Sequence, residues 1–276
     1  MMTLTRLGMP FAVSFGVVAA TTGLYLANVW FKRKSVDRAA SLLFMATLGV
    51  LTWVIAERYI AAGRPPFKTL FESLVLFGWS VAIVYVAVER FYRLALLGAL
   101  TALFVLGIMT YAVLKADVDI ITLPAALQSG WFVPHVVVYF LGYAALFLGA
   151  ALAVIYLIRP QATVTFTNLR GTKVVAYAHL MHTVVKFGFV LISVGLVIGA
   201  LWAKSAWGDY WVWDPKENWS LITWLMYIIY LHVRTSPGWK EKHSAWLLIG
   251  GFAAVIFTYL GMNMLPTADQ SAHVYQ

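Results

Sequence analysis

One stretch of this chain concentrates side chains that can hold a flat, partly apolar ligand. Five of the twelve tryptophans fall within eighteen residues, in the run Trp-Gly-Asp-Tyr-Trp-Val-Trp-Asp-Pro-Lys-Glu-Asn-Trp-Ser-Leu-Ile-Thr-Trp from Trp207 to Trp224. An indole offers a large flat apolar face and one N–H donor. Several indoles close together in one loop therefore predict an aromatic platform, at about residues 203–224.

The same run predicts where a helix begins. Asp214 has the position of an N-cap, Pro215 that of the first helical residue, and Glu217 that of the third, which is the spacing of a capping box. A helix that starts here would hold the preceding tryptophans as a rigid shelf. The alternative is an aromatic belt at a membrane interface, where Trp and Tyr normally collect. A belt, however, needs neither Gly208 nor such close repetition within one loop.

The elements that must position this platform are membrane helices. The chain is 62% hydrophobic and 11% charged, with a mean hydropathy of +0.82, which indicates a polytopic membrane protein. A spanning helix needs about 20 mostly apolar residues. Eight segments qualify: Pro10 to Phe31, Ala39 to Ile60, Leu70 to Val88, Leu94 to Leu114, Pro134 to Ile158, Val184 to Ala203, Trp219 to Val233 and Ser244 to Met262. We therefore expect an all-α polytopic membrane protein with about eight transmembrane helices, forming a single transmembrane helical domain over residues 1–276.

Charge and cysteine content narrow the function classes. Thirteen Lys and Arg residues lie in one set of alternate loops and seven in the other, so the positive-inside rule places the first set in the cytoplasm and both termini, with the Trp-rich run, on the extracytoplasmic side. The net charge of +9 then reflects topology, and we expect no nucleic-acid partner. The chain has no cysteine, so any thiol chemistry must come from another molecule. The nearly charge-free spans argue against a permeation path for hydrophilic solutes.

Histidines on the platform side could bind a metal. His135 follows Pro134 in the first turn of the fifth segment, and His273 lies in the C-terminal tail. Two neutral imidazoles on either side of a flat aromatic shelf are what six-coordinate haem iron requires. A single histidine at a membrane edge would instead be an interfacial hydrogen-bonding residue. His232 lies 17 residues beyond Pro215, about 26 Å along a helix, and therefore at the cytoplasmic end.

The tryptophan run resembles the signature of a known family. The pattern from Trp207 to Trp224, continued by Leu231-His232-x-Arg234, closely resembles the tryptophan-rich (WWD) signature of the CcsA (ResC) proteins, the membrane subunits of the System II cytochrome c synthase. The segment Arg64-Pro-Pro-Phe-Lys-Thr-Leu-Phe-Glu-Ser-Leu is similar to that family's loop before its third helix. The Asp-Pro-Lys-Glu and Leu-His-x-Arg elements favour CcsA over its relatives CcmC and CcmF.

The resemblance implies that the chain carries haem b outward and presents it to apocytochrome c for thioether attachment, as a subunit of a holocytochrome c synthase (haem lyase). It implies His135 and His273 as axial ligands of the haem iron, and His232 as a ligand for haem in transit. The other implied haem-binding residues belong to the Trp-rich segment: Trp207, Gly208, Trp211, Trp213, Asp214, Pro215, Glu217 and Trp219. The two axial histidines and four of these residues are expected at the catalytic centre: Trp207, Trp211, Trp213 and Asp214. One departure is that His273 lies in Ser-Ala-His-Val-Tyr, where the family usually has Gly-Leu-His-Ser-Tyr.

The resemblance also implies partners and a location. The expected partners are the membrane subunit CcsB (ResB), the Cys-x-x-Cys-His segment of apocytochrome c, haem itself and thiol-reducing thioredoxin-like proteins. The expected location is the bacterial cytoplasmic membrane or the thylakoid membrane, with the active face periplasmic or lumenal. Two alternatives remain: a CcmC-like protein that delivers haem to a chaperone without ligation, and an unrelated polytopic transporter with an interfacial Trp belt.

Overall fold

The computed structural model describes residues 8–115, 119–168 and 171–261. Within these ranges the α-helices are, in chain order, α1 Met9–Phe31, α2 Lys34–Ala62, α3 Leu70–Glu89, α4 Ala95–Lys115, α5 Phe132–Ile158, α6 Tyr177–Trp207, α7 Pro215–Arg234 and α8 Glu241–Tyr259. The predicted helical membrane fold is confirmed. Six helices, α1 to α6, are long and apolar enough to cross a membrane. Membrane crossing by α7 and α8, and the sidedness of the termini, stay predictions.

The described helices group into two compact units. The first unit contains α1 to α4 with residues 163–175, and the second contains α5 to α8. The loop that joins α6 to α7, residues 208–214, is called the Trp-rich loop below. This loop and its neighbouring helices belong to the second unit. A single domain over residues 1–276 stays a prediction.

A buried carboxylate joins three helices of the first unit. Glu89 Oε1 accepts hydrogen bonds from the hydroxyl groups of Tyr25 at 2.5 Å, Tyr85 at 2.9 Å and Ser41 at 2.9 Å. These donors lie on α1, α3 and α2, and they compensate a group whose burial is otherwise unfavourable. Gly98 on α4 provides the space, because a Cβ there would lie 2.2 Å from the Tyr25 ring.

A second buried carboxylate fixes the start of α3. Thr69 caps this helix, and Glu72 completes the capping box by accepting the backbone N–H of Thr69. Arg58 and Arg64 both donate to the same carboxylate, at 3.1 Å and 3.0 Å. Their guanidinium groups also donate to the backbone carbonyls of residues 119 and 121. Through these bonds, the segment that resembles the family's loop before its third helix helps to hold residues 119–121 at the start of α3.

A short β-hairpin follows α5, where the sequence predicts only a loop. Its strands are β1 Thr163–Asn168 and β2 Gly171–Ala176. Phe166 forms an isolated antiparallel bridge with Tyr92, and their ring centroids are 4.8 Å apart. The alternation of β-branched and aromatic residues in Thr-Val-Thr-Phe-Thr-Asn favours a strand. Each strand has six residues, which is far shorter than the apolar runs that predict spanning helices.

Glycines bring α5 and α6 into close contact in the second unit. A Cβ at Gly149 would lie 2.4 Å from the Val185 side chain, and a Cβ at Gly188 would lie 2.9 Å from Leu146. Small residues allow this approach between membrane helices. Helix α8 packs on both α5 and α7, and the N-terminal turns of α5 and the C-terminal turns of α6 then lie side by side next to the Trp-rich loop.

Candidate functional site

His135 packs against two glycines of α6, Gly195 and Gly199, and this arrangement is called its seat below. It lies in the first turn of α5, and its Nδ1 is 2.9 Å from the carbonyl oxygen of Gly195. A carbonyl oxygen only accepts, so Nδ1 carries the proton and Nε2 carries the lone pair when the imidazole is neutral. The seat is tight, because a Cβ at Gly199 would lie 2.6 Å from Cε1 and 2.7 Å from Nδ1 of this ring. A histidine oriented through one ring nitrogen in this way has the usual arrangement of a metal ligand.

Trp202 packs against the ring of His135, and the site predicted from the sequence did not include it. The two rings are stacked, with centroids 5.6 Å apart and planes 29° apart. The indole N–H donates to the carbonyl of Ala126 at 2.8 Å, in a 3₁₀ turn of residues 125–128. Trp207 meets Trp202 edge-on at 5.0 Å. Trp202 follows Gly195 by seven residues on one helix face. That spacing becomes informative only once Gly195 is known to contact His135, so the sequence alone offered no signal for Trp202.

The loop between α6 and α7 presents two further tryptophans. Gly208 ends α6 at a φ of 95°, a left-handed conformation that favours glycine. Trp211 and Trp213 meet edge-on at 5.9 Å, and 67% of Trp213 is exposed. The Trp211 indole nitrogen is buried and has no hydrogen-bond partner among the described residues. Because a buried N–H without an acceptor is unfavourable, this donor suits a ligand that brings an oxygen acceptor.

Helix α7 begins as the sequence predicts. The Asp214 carboxylate accepts the backbone N–H of Lys216 at 2.7 Å, and Glu217 accepts the backbone N–H of Asp214 at 3.1 Å. Pro215 is the first helical residue. Burial lowers the pKa of the Lys216 amine, ahead of the predicted span, to about 8, while the Asp214 carboxylate acts in the opposite direction. The predicted capping box is confirmed, and both of its carboxylates are buried and bonded to the backbone.

The last two tryptophans of the run join helices to each other. Trp219 packs on Phe257 of α8, with ring centroids 4.2 Å apart. Trp224 donates its indole N–H to the Ser193 hydroxyl of α6 at 2.8 Å. These two residues therefore stabilise the packing of α7, whereas Trp207, Trp211 and Trp213 lie in or next to the loop that precedes it.

The three histidines of the sequence-based site have different positions. His135 lies beside the Trp-rich loop, through Trp202 and Trp207. His232 lies near the C-terminal end of α7, far along the helix from Asp214, and its side chain is exposed. His273 lies outside the described residues. In residues 8–115, 119–168 and 171–261, no group of three or more His, Asp or Glu side chains is arranged to hold a metal ion. The described site thus offers one oriented imidazole and a set of aromatic faces.

Comparisons with known proteins place this geometry in context. The family described as Cytochrome C assembly protein matches residues 67–268. The Cytochrome c biogenesis protein CcsA of Guillardia theta is 34% identical over an alignment that covers 78% of this chain and 79% of that protein. CcsA of Crocosphaera subtropica is 31% identical, with 89% of this chain and 84% of that protein covered. CcsA of Synechocystis is 30% identical, with 87% and 89% covered.

A solved structure shares the fold. The Cytochrome c Heme Lyase CcmF aligns with a TM-score of 0.66 over 94% of this chain, at 20% sequence identity. The chain spans 47% of the length of CcmF. At this identity the likeness concerns the arrangement of helices.

Proposed function

The chain belongs to the cytochrome c assembly protein family, as a haem-handling cytochrome c biogenesis protein of the CcsA type, and from this we propose that it holds haem b at the Trp-rich loop and presents it for covalent attachment to apocytochrome c. In this role the chain is the haem-binding membrane subunit of a cytochrome c synthase. The haem is its substrate and leaves with the product.

The observation that carries the proposal is the seat of His135. The Gly195 carbonyl fixes the protonated nitrogen as Nδ1, which assigns the lone pair of the neutral ring to Nε2. Close packing at Gly199 and the stacked Trp202 ring limit rotation of the imidazole. An axial ligand of haem iron needs an imidazole held in one orientation, and the contacts of His135 with Gly195, Gly199 and Trp202 provide that orientation.

The Trp-rich loop fits the rest of a haem molecule. Haem has a flat apolar ring with two carboxylate-bearing propionates at one edge. The exposed ring of Trp213 suits the flat face, and the Trp211 indole N–H, which has no acceptor among the described residues, suits a carboxylate oxygen. In this proposal Trp207, Trp211 and Trp213 form the platform, Gly208 and Pro215 set its two ends, and Asp214 fixes the start of α7 beside it.

Thioether formation requires orientation more than activation. Each cysteine S–H of a Cys-x-x-Cys-His segment adds across one vinyl C=C of the haem, so the sulfur bonds to one vinyl carbon and the hydrogen goes to the other. Atoms and electrons balance without an added oxidant or a leaving group. The protein's contribution is to hold the vinyl groups within reach of the thiols and to keep the iron ligated until then.

Two further histidines of this chain and two partner proteins complete the proposed cycle. His273 would supply the second axial ligand, and the histidine of the apocytochrome segment would displace one of the two protein ligands. His232, at the other end of α7, would ligate haem in transit. We expect the CcsB (ResB) subunit to supply an extracytoplasmic domain, and thioredoxin-like proteins to keep the substrate cysteines reduced. In this proposal the chain lies in a bacterial cytoplasmic membrane or in a thylakoid membrane.

The test is a visible spectrum of the detergent-purified chain with its CcsB partner, in wild type and single His→Ala variants. We expect co-purified haem with low-spin bis-imidazole bands, strongly reduced in His135→Ala and His273→Ala and restored by added imidazole. His179→Ala is the matched control, because its exposed side chain lies in the first turn of α6, at the opposite end from the Trp-rich loop, and it should keep wild-type haem.

Two results would contradict the proposal. Haem that is retained equally in all three variants would remove the ligand assignment. The second result is haem loss in His135→Ala together with a wild-type complex that forms no thioether with a reduced Cys-x-x-Cys-His substrate, as judged by product mass. That result would indicate haem delivery without covalent attachment, as in the CcmC-like alternative.

A further inference from the structure

Trp213 has an unusual backbone conformation for a large aromatic residue. Its φ is 59°, in the left-handed region, where a bulky L-residue is disfavoured by contact between Cβ and the backbone. Among the described non-glycine residues only Lys32 shares a positive φ. Such conformations persist when the surroundings impose them, and they cluster at functional sites.

The first turn of α7 imposes this conformation on Trp213. Glu217 Oε2 accepts the backbone N–H of Val212 at 2.9 Å and that of Asp214 at 3.1 Å, the residues on either side of Trp213. The Asn218 side-chain amide donates to the Trp213 carbonyl at 3.0 Å. Backbone N–H groups that converge on an anion are typical of a turn containing a left-handed residue. Here the anion is a side chain of the protein itself.

Helix capping does not account for all these contacts. Of these three contacts, the capping box includes only the hydrogen bond that the backbone N–H of Asp214 donates to Glu217. The N–H of Val212 and the carbonyl of Trp213 belong to residues that precede the cap, so the capping box is complete without their bonds to Glu217 and Asn218. Together they fix the peptide groups on both sides of Trp213, a residue that is 67% exposed.

We propose that Glu217 and Asn218 are positioning residues for Trp213, and that Glu217 serves haem binding by holding this indole outward and not by touching haem. The inference rests on the proposed function, because it assumes that the Trp213 ring meets haem. Glu217 is itself only 8% exposed, and its Oε2 already accepts two backbone hydrogen bonds.

The test measures the Trp213 environment separately from haem. The full chain, labelled with 5-fluorotryptophan and stripped of haem in detergent, gives ¹⁹F resonances that Trp213→Phe assigns. Glu217→Ala removes the acceptor, and Asn218→Asp replaces the donor by an isosteric acceptor. Glu217→Gln keeps an oxygen that can accept the same N–H groups. Asp209→Ala is the matched control, because it removes an exposed carboxylate from the same loop.

We expect Glu217→Ala and Asn218→Asp to shift or broaden the Trp213 resonance and to lose haem, while Glu217→Gln and Asp209→Ala keep the wild-type resonance and haem. An unmoved Trp213 resonance in both disrupting variants overturns the inference, and so does a moved resonance with undiminished haem. If Glu217→Ala does not fold, Asn218→Asp decides the test alone, because Asn218 lies outside the capping box. Wild-type protein that never retains haem defeats the proposed function, whereas the ¹⁹F shifts still show whether Glu217 and Asn218 set the Trp213 conformation.

Discussion

Replacing Gly199 with alanine should weaken haem binding while leaving the protein folded. The new Cβ would lie 2.6 Å from Cε1 of His135, whereas ordinary contact begins at 3.4 Å, so the imidazole must move by roughly 0.8 Å to restore normal packing. The Nδ1 to Gly195 oxygen distance of 2.9 Å leaves little room for such a shift, because N–H···O hydrogen bonds keep to about 2.7–3.2 Å. Losing that bond would remove about 1 kcal/mol and the fixed orientation of the ring.

The expected result is haem affinity lowered by about 10- to 100-fold, the range seen when a partner that orients a metal-ligating histidine is lost. The assay is haem titration of the detergent-purified, haem-free complex, followed by its low-spin visible bands. Gly107→Ala on α4 is the matched control, because nothing lies within 4 Å of a Cβ at that position. Alanine favours a helix over glycine by up to about 1 kcal/mol, so the control should keep its haem affinity and have a thermal midpoint at or above that of wild type.

Equal haem affinity in Gly199→Ala and wild type would refute the link between the α6 seat and iron ligation. Equal losses in both alanine variants would refute it as well, since they would show a general effect of glycine replacement in these helices. Added imidazole offers a further check: it should restore the bands of His135→Ala, where the ring is missing, better than those of Gly199→Ala, where a displaced ring still fills the site.

Substitutions at three other residues have expected outcomes. Trp202→Phe keeps an aromatic ring beside His135 but removes the indole N–H bond to the 3₁₀ turn, so we expect the free energy of unfolding to fall by about 1 kcal/mol and the haem bands to remain. Trp202→Ala should lower the free energy of unfolding by about 3–5 kcal/mol and lose haem. Thermal unfolding and visible spectra measure both variants. Glu72→Gln leaves two guanidinium groups without their buried carboxylate and should destabilise the first unit by about 3 kcal/mol; unchanged protease resistance at the α3 end would contradict this. Gly98→Ala places a Cβ 2.2 Å from the Tyr25 ring and should lower the thermal midpoint through overpacking of about 1–3 kcal/mol; a midpoint at or above that of wild type would show that this contact relaxes freely.

Features that depend on neighbouring residues in the chain could be predicted from the sequence. Long apolar runs located the helices, because each spanning helix satisfies its own backbone hydrogen bonds. The start of α7 followed from Asp214, Pro215 and Glu217, because an N-cap, a first-turn proline and a returning carboxylate act within one turn. The position of His135 in the first turn of α5 followed for the same reason.

Features that depend on how helices meet could not be predicted in this way. The seat of His135 requires the register of α5 against α6, and no local pattern sets that register. The left-handed conformation of Trp213 arises from side chains four and five residues later, and propensity alone would place a tryptophan elsewhere. The hairpin β1–β2 was missed because its strands are shorter than the apolar runs that define spans.

One stripe of α6 serves both packing and chemistry. Gly188, Gly195 and Trp202 recur every seven residues on one helix face. Gly188 allows close approach to α5, Gly195 supplies the carbonyl that orients His135, and Trp202 stacks on that ring. Because α5 and α6 are close-packed along their length, any substitution that separates them should also move His135 away from its carbonyl partner. The orientation of the proposed iron ligand is therefore a consequence of helix packing, which explains why residues outside the Trp-rich run are needed to define the site.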